Sequence, residues 1–328
     1  MNHHAPLLRL NNLHVQVQTA HGAVDAVRGV SFDLARGETV GLMGESGCGK
    51  SMTALALMGL LPEGAQARGS MQWQGEECLA WTEAQWCQVR GNRWAMVFQE
   101  PMTALNPLHT VGDQVAEPLR LHRRLSRQAA LATAADLLDR VGIPQARQRL
   151  RDHPHQFSGG QRQRIMIAMA LSCDPDLLIA DEPTTALDVT VAQNILALLQ
   201  SLVEERGMGL LLISHDLGVL ARQVRELKVM YAGQLVEQGP TAEVLASPAH
   251  PYTRGLLASR PSWTAAALKT GPRMRLPTLP GQVPELHQLG PGCAFADRCS
   301  LAQDDCRNIS PPTVRLTPTR QALCWRSA

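Results

Sequence analysis

The chain has 328 residues, of which 45% are hydrophobic, and a formal net charge of +2. Its length predicts about two domains, and its apolar content suffices for a large core. Because the basic residues are dispersed, the charge does not indicate a nucleic-acid partner. The N-terminal segment lacks the pattern of a signal peptide, and no apolar run reaches the roughly 18 residues of a membrane-spanning helix. We therefore expect an intracellular chain that does not itself cross a membrane.

Strand and helix patterns alternate along the first third of the chain. Residues 7–18 alternate in the manner of an exposed edge strand, and the apolar run at 37–44 predicts a strand before a glycine-rich turn. The segment that follows predicts a buried helix that stops at Pro62, and residues 93–100 predict another strand. From about 101 to 172 the strand signals vanish, which predicts a helical subdomain with Ser126 as a helix N-cap.

The second half of the chain returns to strands. The runs DLLIAD at 176–181 and GLLLISHD at 209–216 predict strands buried on both faces, as in a parallel sheet that helices cover. Residues 227–239 predict a hairpin with its turn at Ala232–Gly233. Near residue 260 proline becomes frequent and helical periodicity fades, so we predict a separate small appendage over 260–328.

The octet GESGCGKS, Gly44–Ser51, fits G-x-x-x-x-G-K-[ST] and lies between a predicted strand and a predicted helix. Its glycines let successive backbone N–H groups turn toward an anion, and the next helix adds its own unpaired N–H groups. Lys50 would reach the β- and γ-phosphates, and the Ser51 hydroxyl would bind Mg²⁺. The predicted nucleotide contacts here are Gly44, Ser46, Gly47, Cys48, Gly49, Lys50, Ser51 and Met52.

Two acids stand where the predicted strand DLLIAD ends. Asp181 suits a contact with Mg²⁺, and Glu182 would polarise the attacking water. Alternatively, both acids favour the start of the next helix, but beside a phosphate-binding loop this interpretation is the weaker one. The pattern predicts a Mg²⁺-dependent nucleoside triphosphatase.

The segment FSGGQRQR, Phe157–Arg164, is a close match to the signature motif of ABC transporter ATPases, and the sequence resembles their nucleotide-binding subunits. The resemblance implies that this segment faces the ATP bound on a partner subunit, so that the chain hydrolyses ATP poorly alone. The same residues form an S-x-x-Q capping box, and the two interpretations are compatible. The implied contacts to the partner's ATP are Ser158, Gly159, Gly160 and Gln161.

Other motifs of this family follow in order. Gln99 matches the Q-loop, a contact to Mg²⁺ and water; Asp188 in ALD matches the D-loop of the dimer interface; His215 matches the switch histidine at the γ-phosphate. Glu182, His215 and Gln99 are thus the implied catalytic residues. The family stacks adenine on an aromatic residue ahead of the phosphate loop, and here only His21 is available.

The resemblance implies an α/β fold: a P-loop NTPase core with an antiparallel β subdomain and a helical subdomain. We assign residues 1–259 to this ABC ATPase domain and 260–328 to the cysteine-containing C-terminal appendage.

Two further segments, one of them near the C-terminal end, narrow the resemblance to a particular group of transporters. HPYTRGLL at 250–257 and FQEPMTALNPLHTVGDQ at 98–114 resemble the ATP-binding subunits of dipeptide, oligopeptide and nickel importers. The resemblance implies peptide import, with nickel or another small solute as the alternative and a soluble non-transport ATPase as a weaker one. It also implies a second homologous ATPase subunit, two permease subunits, an extracytoplasmic solute-binding protein, no nucleic acid, and a location on the cytoplasmic side of the inner membrane.

Four cysteines with the spacing C-x₅-C-x₆-C-x₁₇-C lie in the predicted appendage, at Cys293, Cys299, Cys306 and Cys324. Four thiolates in a reducing compartment fit a tetrahedral S₄ metal site. The spacing does not decide between zinc and an iron–sulfur cluster, since both favour C-x-x-C pairs. Some members of the importer family carry a [4Fe–4S] cluster in such a tail, which favours that cluster; zinc and four unligated thiols remain alternatives.

Overall fold

The computed structural model describes residues 6–100, 104–259 and 278–327. An antiparallel four-stranded sheet has the order β2-β1-β4-β5. Its strands are β1 (Leu8–Thr19), β2 (Gly22–Leu34), β4 (Gln66–Trp73) and β5 (Glu76–Glu77).

The edge position that the sequence suggested for β1 is wrong. This strand pairs with β2 on one side and with β4 on the other. Its alternation instead reflects one buried and one solvated face, because Leu8 and Leu10 point into the core while Arg9 is exposed.

An eight-stranded sheet with the order β11-β12-β10-β9-β3-β8-β7-β6 forms the centre of the molecule. The five strands from β9 to β6 in this order run parallel, and every residue of β3, β7 and β8 is buried, as predicted. The hairpin of β9 and β10 turns at Ala232 and Gly233, which both have positive φ, as a tight turn of this kind requires. The strands are β3 (Thr39–Met43), β6 (Trp94–Val97), β7 (Leu177–Asp181), β8 (Gly209–Ile213), β9 (Glu226–Tyr231), β10 (Gln234–Pro240), β11 (Thr313–Thr317) and β12 (Arg320–Leu323).

Helices cover this sheet and fill the middle of the chain. Ser126 caps α4 as predicted, because its Oγ accepts from the backbone N–H of Ala129 at 3.2 Å. Helix α1 ends at Leu57 and not at Pro62, since Gly59 takes a left-handed φ of 61° and stops it. The helices are α1 (Lys50–Leu57), α2 (Glu83–Val89), α3 (Val111–His122), α4 (Arg127–Arg140), α5 (Ala146–Arg149), α6 (Gly159–Ala170), α7 (Val189–Arg206), α8 (Leu217–Gln223), α9 (Thr241–Ala246), α10 (Pro251–Ala258) and α11 (Asp304–Asn308).

Among the described residues, no helix combines the length and the apolarity that crossing a bilayer would require.

The C-terminal residues are joined to the main sheet. Strand β12 pairs antiparallel with β10, with Ala322 opposite Glu237, and Phe295 lies in the same core cluster as Tyr231 and Tyr252. The described part of the predicted appendage thus packs against the rest of the chain and extends its main sheet, while the division of the chain into two domains stays a prediction. The boundary predicted at residue 260 lies outside the described residues.

Candidate nucleotide-binding site

The phosphate loop connects β3 to α1, and two of its glycines leave no room for a side chain. A Cβ at Gly44 would lie 2.2 Å from the Met230 carbonyl oxygen. At Gly49, where φ is 103°, a Cβ would lie 2.6 Å from the Ala26 carbonyl oxygen. The loop can therefore pass this close to the neighbouring backbone only with glycine at both positions.

Lys50 is buried and bridges the loop. Its Nζ donates to the carbonyl oxygens of Gly44 at 2.8 Å and of Glu45 at 2.9 Å, and lies 3.6 Å from the Cys48 Sγ. Burial raises the pKa of the Cys48 thiol, although the ammonium opposes this shift. The loop thus concentrates positive charge at its centre and holds a protonated, unreactive thiol beneath it.

Ser51 and Asp181 approach each other from α1 and the end of β7. The Ser51 hydroxyl donates to the Asp181 carboxylate. Burial raises the pKa of Asp181, while the Ser51 hydrogen bond and the charge of Lys50 lower it. A hydroxyl and a carboxylate side by side are the hard oxygen donors that Mg²⁺ prefers, so this pair fits the predicted metal position.

Glu182 has an unusual backbone conformation with φ at 50°. Its N–H donates to the Ile213 carbonyl oxygen at 2.9 Å. Its carboxylate lies 2.9 Å from His215 Nδ1 and accepts from Thr185 Oγ1 at 3.1 Å. A non-glycine residue in this region costs about 1–3 kcal/mol, a strain that is typical of functional positions. The acid is held by several partners and faces the same space as the phosphate loop.

Gln163, which the sequence reasoning missed, connects three motifs. Its Nε2 donates to the Glu182 carbonyl oxygen at 3.2 Å, and its Oε1 accepts from the Ala186 N–H at 3.1 Å. Since Gln163 belongs to α6, it connects the helix that begins within the signature segment to Glu182 and to Ala186. In the sequence, Gln163 is one of several polar residues at the start of this helix, and no local signal marks it as the buried one.

One cavity of about 560 Å³ brings most of these side chains together. The cavity lies at the carboxyl-terminal edge of the parallel strands. The phosphate loop follows β3 there, and the other lining residues at this edge are Gln99, Asp181, Glu182 and His215. The predicted residues that line it are Gly44, Ser46, Gly47, Gly49, Lys50, Ser51, Met52, Gln99, Asp181, Glu182 and His215.

The signature and D-loop residues are not among the described residues that line this cavity. Ser158 and Gln161 form the predicted capping box of α6, with Gln161 N–H to Ser158 Oγ at 3.3 Å and Ser158 N–H to Gln161 Oε1 at 3.0 Å. Asp188 caps α7 through the Val191 N–H at 3.0 Å. Both segments have a local structural role within this chain.

His21 is likewise not among the described residues that line the cavity. Its ring stacks on His287, with centroids 4.2 Å apart. The apolar wall consists of Val17, Ala26 and Leu286 instead. Strand alternation could have pointed to Val17, but no local signal connects Leu286 to a loop so far away in sequence.

The four C-terminal cysteines are free thiols that line one cavity of about 20 Å³ together with His250. Burial, followed by the neighbouring thiolates, raises the pKa of Cys293 to about 11. His250 Nδ1 accepts from the Tyr252 N–H at 3.0 Å, and His250 Nε2 has no hydrogen-bond partner among the described residues.

The donors at this cavity fit a thiolate metal site, but their arrangement does not. Within residues 6–100, 104–259 and 278–327, no three Cys, His, Asp or Glu side chains are placed to hold a metal ion. A cavity of about 20 Å³ admits one water-sized occupant, which is too small for an iron–sulfur cluster.

Comparison with known proteins decides the family. The ABC transporter family matches residues 27–185, and the oligopeptide/dipeptide transporter C-terminal region matches residues 236–306. A Brucella melitensis protein named for peptide import and ATP binding is 48% identical over 98% of this chain and 97% of its own. The chain belongs to the ABC transporter family. It is an ABC ATPase with the C-terminal region of oligopeptide and dipeptide transporters, which confirms the predicted resemblance and fold class.

Other relatives agree with this assignment. A Sinorhizobium fredii protein named as a probable peptide ABC transporter ATP-binding protein is 46% identical over 98% of this chain and 95% of its own. The ATP-binding cassette MJ0796, solved as a dimer in a post-hydrolysis state with ADP and Pi, superimposes with a TM-score of 0.66 at 26% identity, covering 71% of this chain and 98% of that one. The cassette fold is thus shared over 71% of this chain.

Proposed function

We propose that this ABC ATPase is the ATP-hydrolysing subunit of an importer for di- or oligopeptides. The cavity that joins the phosphate loop to Gln99, Asp181, Glu182 and His215 carries the ATPase part of the proposal. The C-terminal region and the names of the relatives support the peptide part. The solute itself would contact other subunits.

In the proposed reaction the phosphate loop and α1 bind the triphosphate, and Lys50 moves from the loop carbonyls to its oxygens. Ser51, Gln99 and Asp181 would hold Mg²⁺, whose charge offsets that of the phosphate oxygens. Glu182 orients and polarises the attacking water. His215, hydrogen-bonded to Glu182, would contact the γ-phosphate. The protein thus acts mainly by positioning and by charge stabilisation.

A second subunit completes the proposed site. Ser158, Gly159, Gly160 and Gln161 lie at the N-terminus of α6, where unpaired N–H groups favour an anion. Because they are not among the described residues that line this chain's own cavity, we propose that they contact ATP bound to a homologous partner, with Asp188 at the same interface. Two permease subunits and an extracytoplasmic solute-binding protein would complete the importer, which places this chain on the cytoplasmic side of the inner membrane.

We further propose that the four cysteines bind a metal, either a [4Fe–4S] cluster or zinc. The chemistry of the four thiol donors supports this proposal, and binding would require their side chains to rearrange from the positions that the structure gives them. A cluster would require the surrounding loops to move apart, whereas a single ion requires less movement. Iron, sulfide and zinc analysis of anaerobically purified protein would separate these cases, and protein free of both metals would end the proposal.

The decisive experiment for the transport proposal is uptake by cells whose only copy carries Glu182→Gln. This change keeps the size of the side chain and removes the base, so we expect at least about 100-fold slower ATP turnover with ATP binding retained. The exposed Glu204→Gln on α7 is the matched control and should leave uptake unchanged. Loss of labelled dipeptide uptake alone supports a peptide importer, loss of nickel uptake alone supports a nickel importer, and no loss of either contradicts both.

A further inference from the structure

The cysteine-rich segment contacts the phosphate loop through one buried side chain. Arg298 lies between Cys293 and Cys299 on the short helix Ala296–Arg298. Its two terminal nitrogens donate to the two carboxylate oxygens of Glu45, at 2.5 and 3.0 Å. Such a two-point pair is among the strongest that side chains form in proteins. The two partners are 253 positions apart in the chain.

Arg298 is fixed on every side. Its Nε donates to the Pro280 carbonyl oxygen at 2.7 Å, and Nη1 also donates to Tyr231 Oη at 3.3 Å. The guanidinium carbon lies 5.7 Å from the Tyr231 ring centroid and 5.8 Å from that of Phe295. The side chain is only 5% exposed, so its charge is weakly screened by solvent. This arrangement holds the guanidinium in one orientation toward the loop.

Glu45 is the point through which this contact reaches the nucleotide site. Its backbone N–H donates to Tyr252 Oη at 2.8 Å, and its carbonyl oxygen accepts from Lys50 Nζ at 2.9 Å. The carboxylate, backbone N–H and carbonyl oxygen of Glu45 are therefore held by Arg298, Tyr252 and Lys50 in turn. Moving the Glu45 carboxylate would also move the carbonyl that positions Lys50.

The charge of Glu45 gives a second reason for this contact. A carboxylate within a loop that binds a polyphosphate repels the ligand unless a cation offsets it. Arg298 supplies that cation without entering the cavity, since it is not among the described residues that line it. Neutralising and orienting Glu45 both favour nucleotide binding.

We infer that Arg298 is a positioning residue for nucleotide binding, through which the cysteine-rich segment fixes the conformation of the phosphate loop. The inference rests on the ATP-binding function proposed above and adds a residue from outside the cassette motifs. Among the hydrogen bonds of the described residues, Arg298 has none to Glu182 or His215. We therefore expect the loss of Arg298 to change nucleotide affinity and to leave the rate of hydrolysis of bound ATP nearly unchanged.

The test is a double-mutant cycle in the full-length chain, with ATP affinity measured by calorimetry. Arg298→Ala should weaken ATP binding about tenfold, because the Glu45 carboxylate loses both its fixed orientation and the cation that neutralises it. Glu45→Gln loses the orientation but also the repulsive charge, so it should weaken binding less, and adding Arg298→Ala to it should cost little more. Arg298→Lys keeps the charge but loses the two-point geometry and should weaken binding about threefold. In the assembled transporter, Arg298→Ala should raise KM for ATP and leave kcat within about twofold.

Arg315→Ala is the matched control, because this arginine is exposed on β11 in the same C-terminal region. It should bind ATP with the wild-type affinity. Wild-type affinity in Arg298→Ala, additive losses in the double variant, or a fall in kcat with unchanged KM would each overturn the inference. If Arg298→Ala does not fold, Arg298→Lys and Glu45→Gln carry the same test. A wild-type chain that binds no ATP would instead refute the nucleotide site itself.

Discussion

Removing the carboxylate of Glu237 should strongly destabilise the protein. This side chain is fully buried on β10 and accepts from Arg320 Nη2 at 2.8 Å and from the N–H groups of Ala249 and His250 at 2.9 Å each. Glu237→Ala leaves the Arg320 guanidinium, itself 9% exposed, without its charged partner and leaves two buried N–H groups unpaired. Breaking a buried ion pair in this way costs about 3–5 kcal/mol.

Denaturant unfolding of the full-length chain measures this loss. The matched control is Arg9→Ala, which removes a two-point pair with Asp33 whose side chains are about half exposed, at 48% and 50%. Solvent screens a pair exposed to this degree, so it contributes little to stability. A loss below about 1 kcal/mol for Glu237→Ala, or equal losses for both variants, would refute the reasoning. Either result would mean that the carboxylate does not hold β12 and the turn before α10 to the sheet.

Two further predictions concern the phosphate loop and the response to acid. Gly49→Ala places a Cβ 2.6 Å from the Ala26 carbonyl oxygen at a φ of 103°, so ATP affinity measured by calorimetry should fall at least about tenfold, and an unchanged affinity would contradict this geometry. Burial lowers the pKa of His250 to about 3, so between about pH 6.5 and 3 the unfolded state binds a proton that the folded state does not. As the pH is lowered through this range, the free energy of unfolding should therefore decrease by about 1.4 kcal/mol per pH unit because of this group. A His250→Gln variant should lack this contribution to the pH dependence.

The core of the site could be predicted because its signals are local. The glycines, lysine and serine of Gly44–Ser51 act within a few residues of one another, and the buried strand that ends in Asp181 has an apolar run of its own. Local spacing therefore carried enough information to bring the loop, Gln99 and Glu182 to one cavity. The parallel strands could be predicted from a local signal too, because a strand that is buried on both faces has an unbroken run of apolar residues.

The adenine side of the cavity could not be predicted from such signals. His21 is the aromatic-like residue in the expected stretch, but its ring stacks on His287, and the wall is formed by Val17, Ala26 and Leu286. Leu286 is brought there by the packing of a distant segment against β2. The prediction that β1 is an edge strand was wrong for a related reason. Alternation shows which side chains of a strand face solvent, but it does not show whether other strands pair with it on one side or on both.

The contacts of the C-terminal region were also unpredictable from local sequence signals. Composition predicted a change of character near residue 260, but nothing local indicated that β12 would extend the main sheet or that Arg298 would reach Glu45. The two ion pairs of this region, Arg320–Glu237 and Arg298–Glu45, join charged residues that look like ordinary surface residues in the sequence. Their burial depends on partners that fold onto them from far along the chain.

A second route connects the same region to the phosphate loop. The hairpin that pairs with β12 turns at Gly233, whose N–H donates to the Cys48 carbonyl oxygen at 2.9 Å, and whose carbonyl oxygen accepts from the Arg28 N–H at 2.7 Å. The loop is therefore held by the C-terminal region both through Arg298 and through this turn. The two contacts hold different residues of the loop, Glu45 and Cys48. A change in the cysteine-rich segment that moved Arg298 alone would therefore shift Glu45 while the hairpin kept Cys48 in place. Lys50, which bonds to the Glu45 carbonyl, would respond first. We therefore expect a displacement of Arg298 to alter nucleotide affinity more than it alters the positions of Glu182 and His215, which follow β7 and β8.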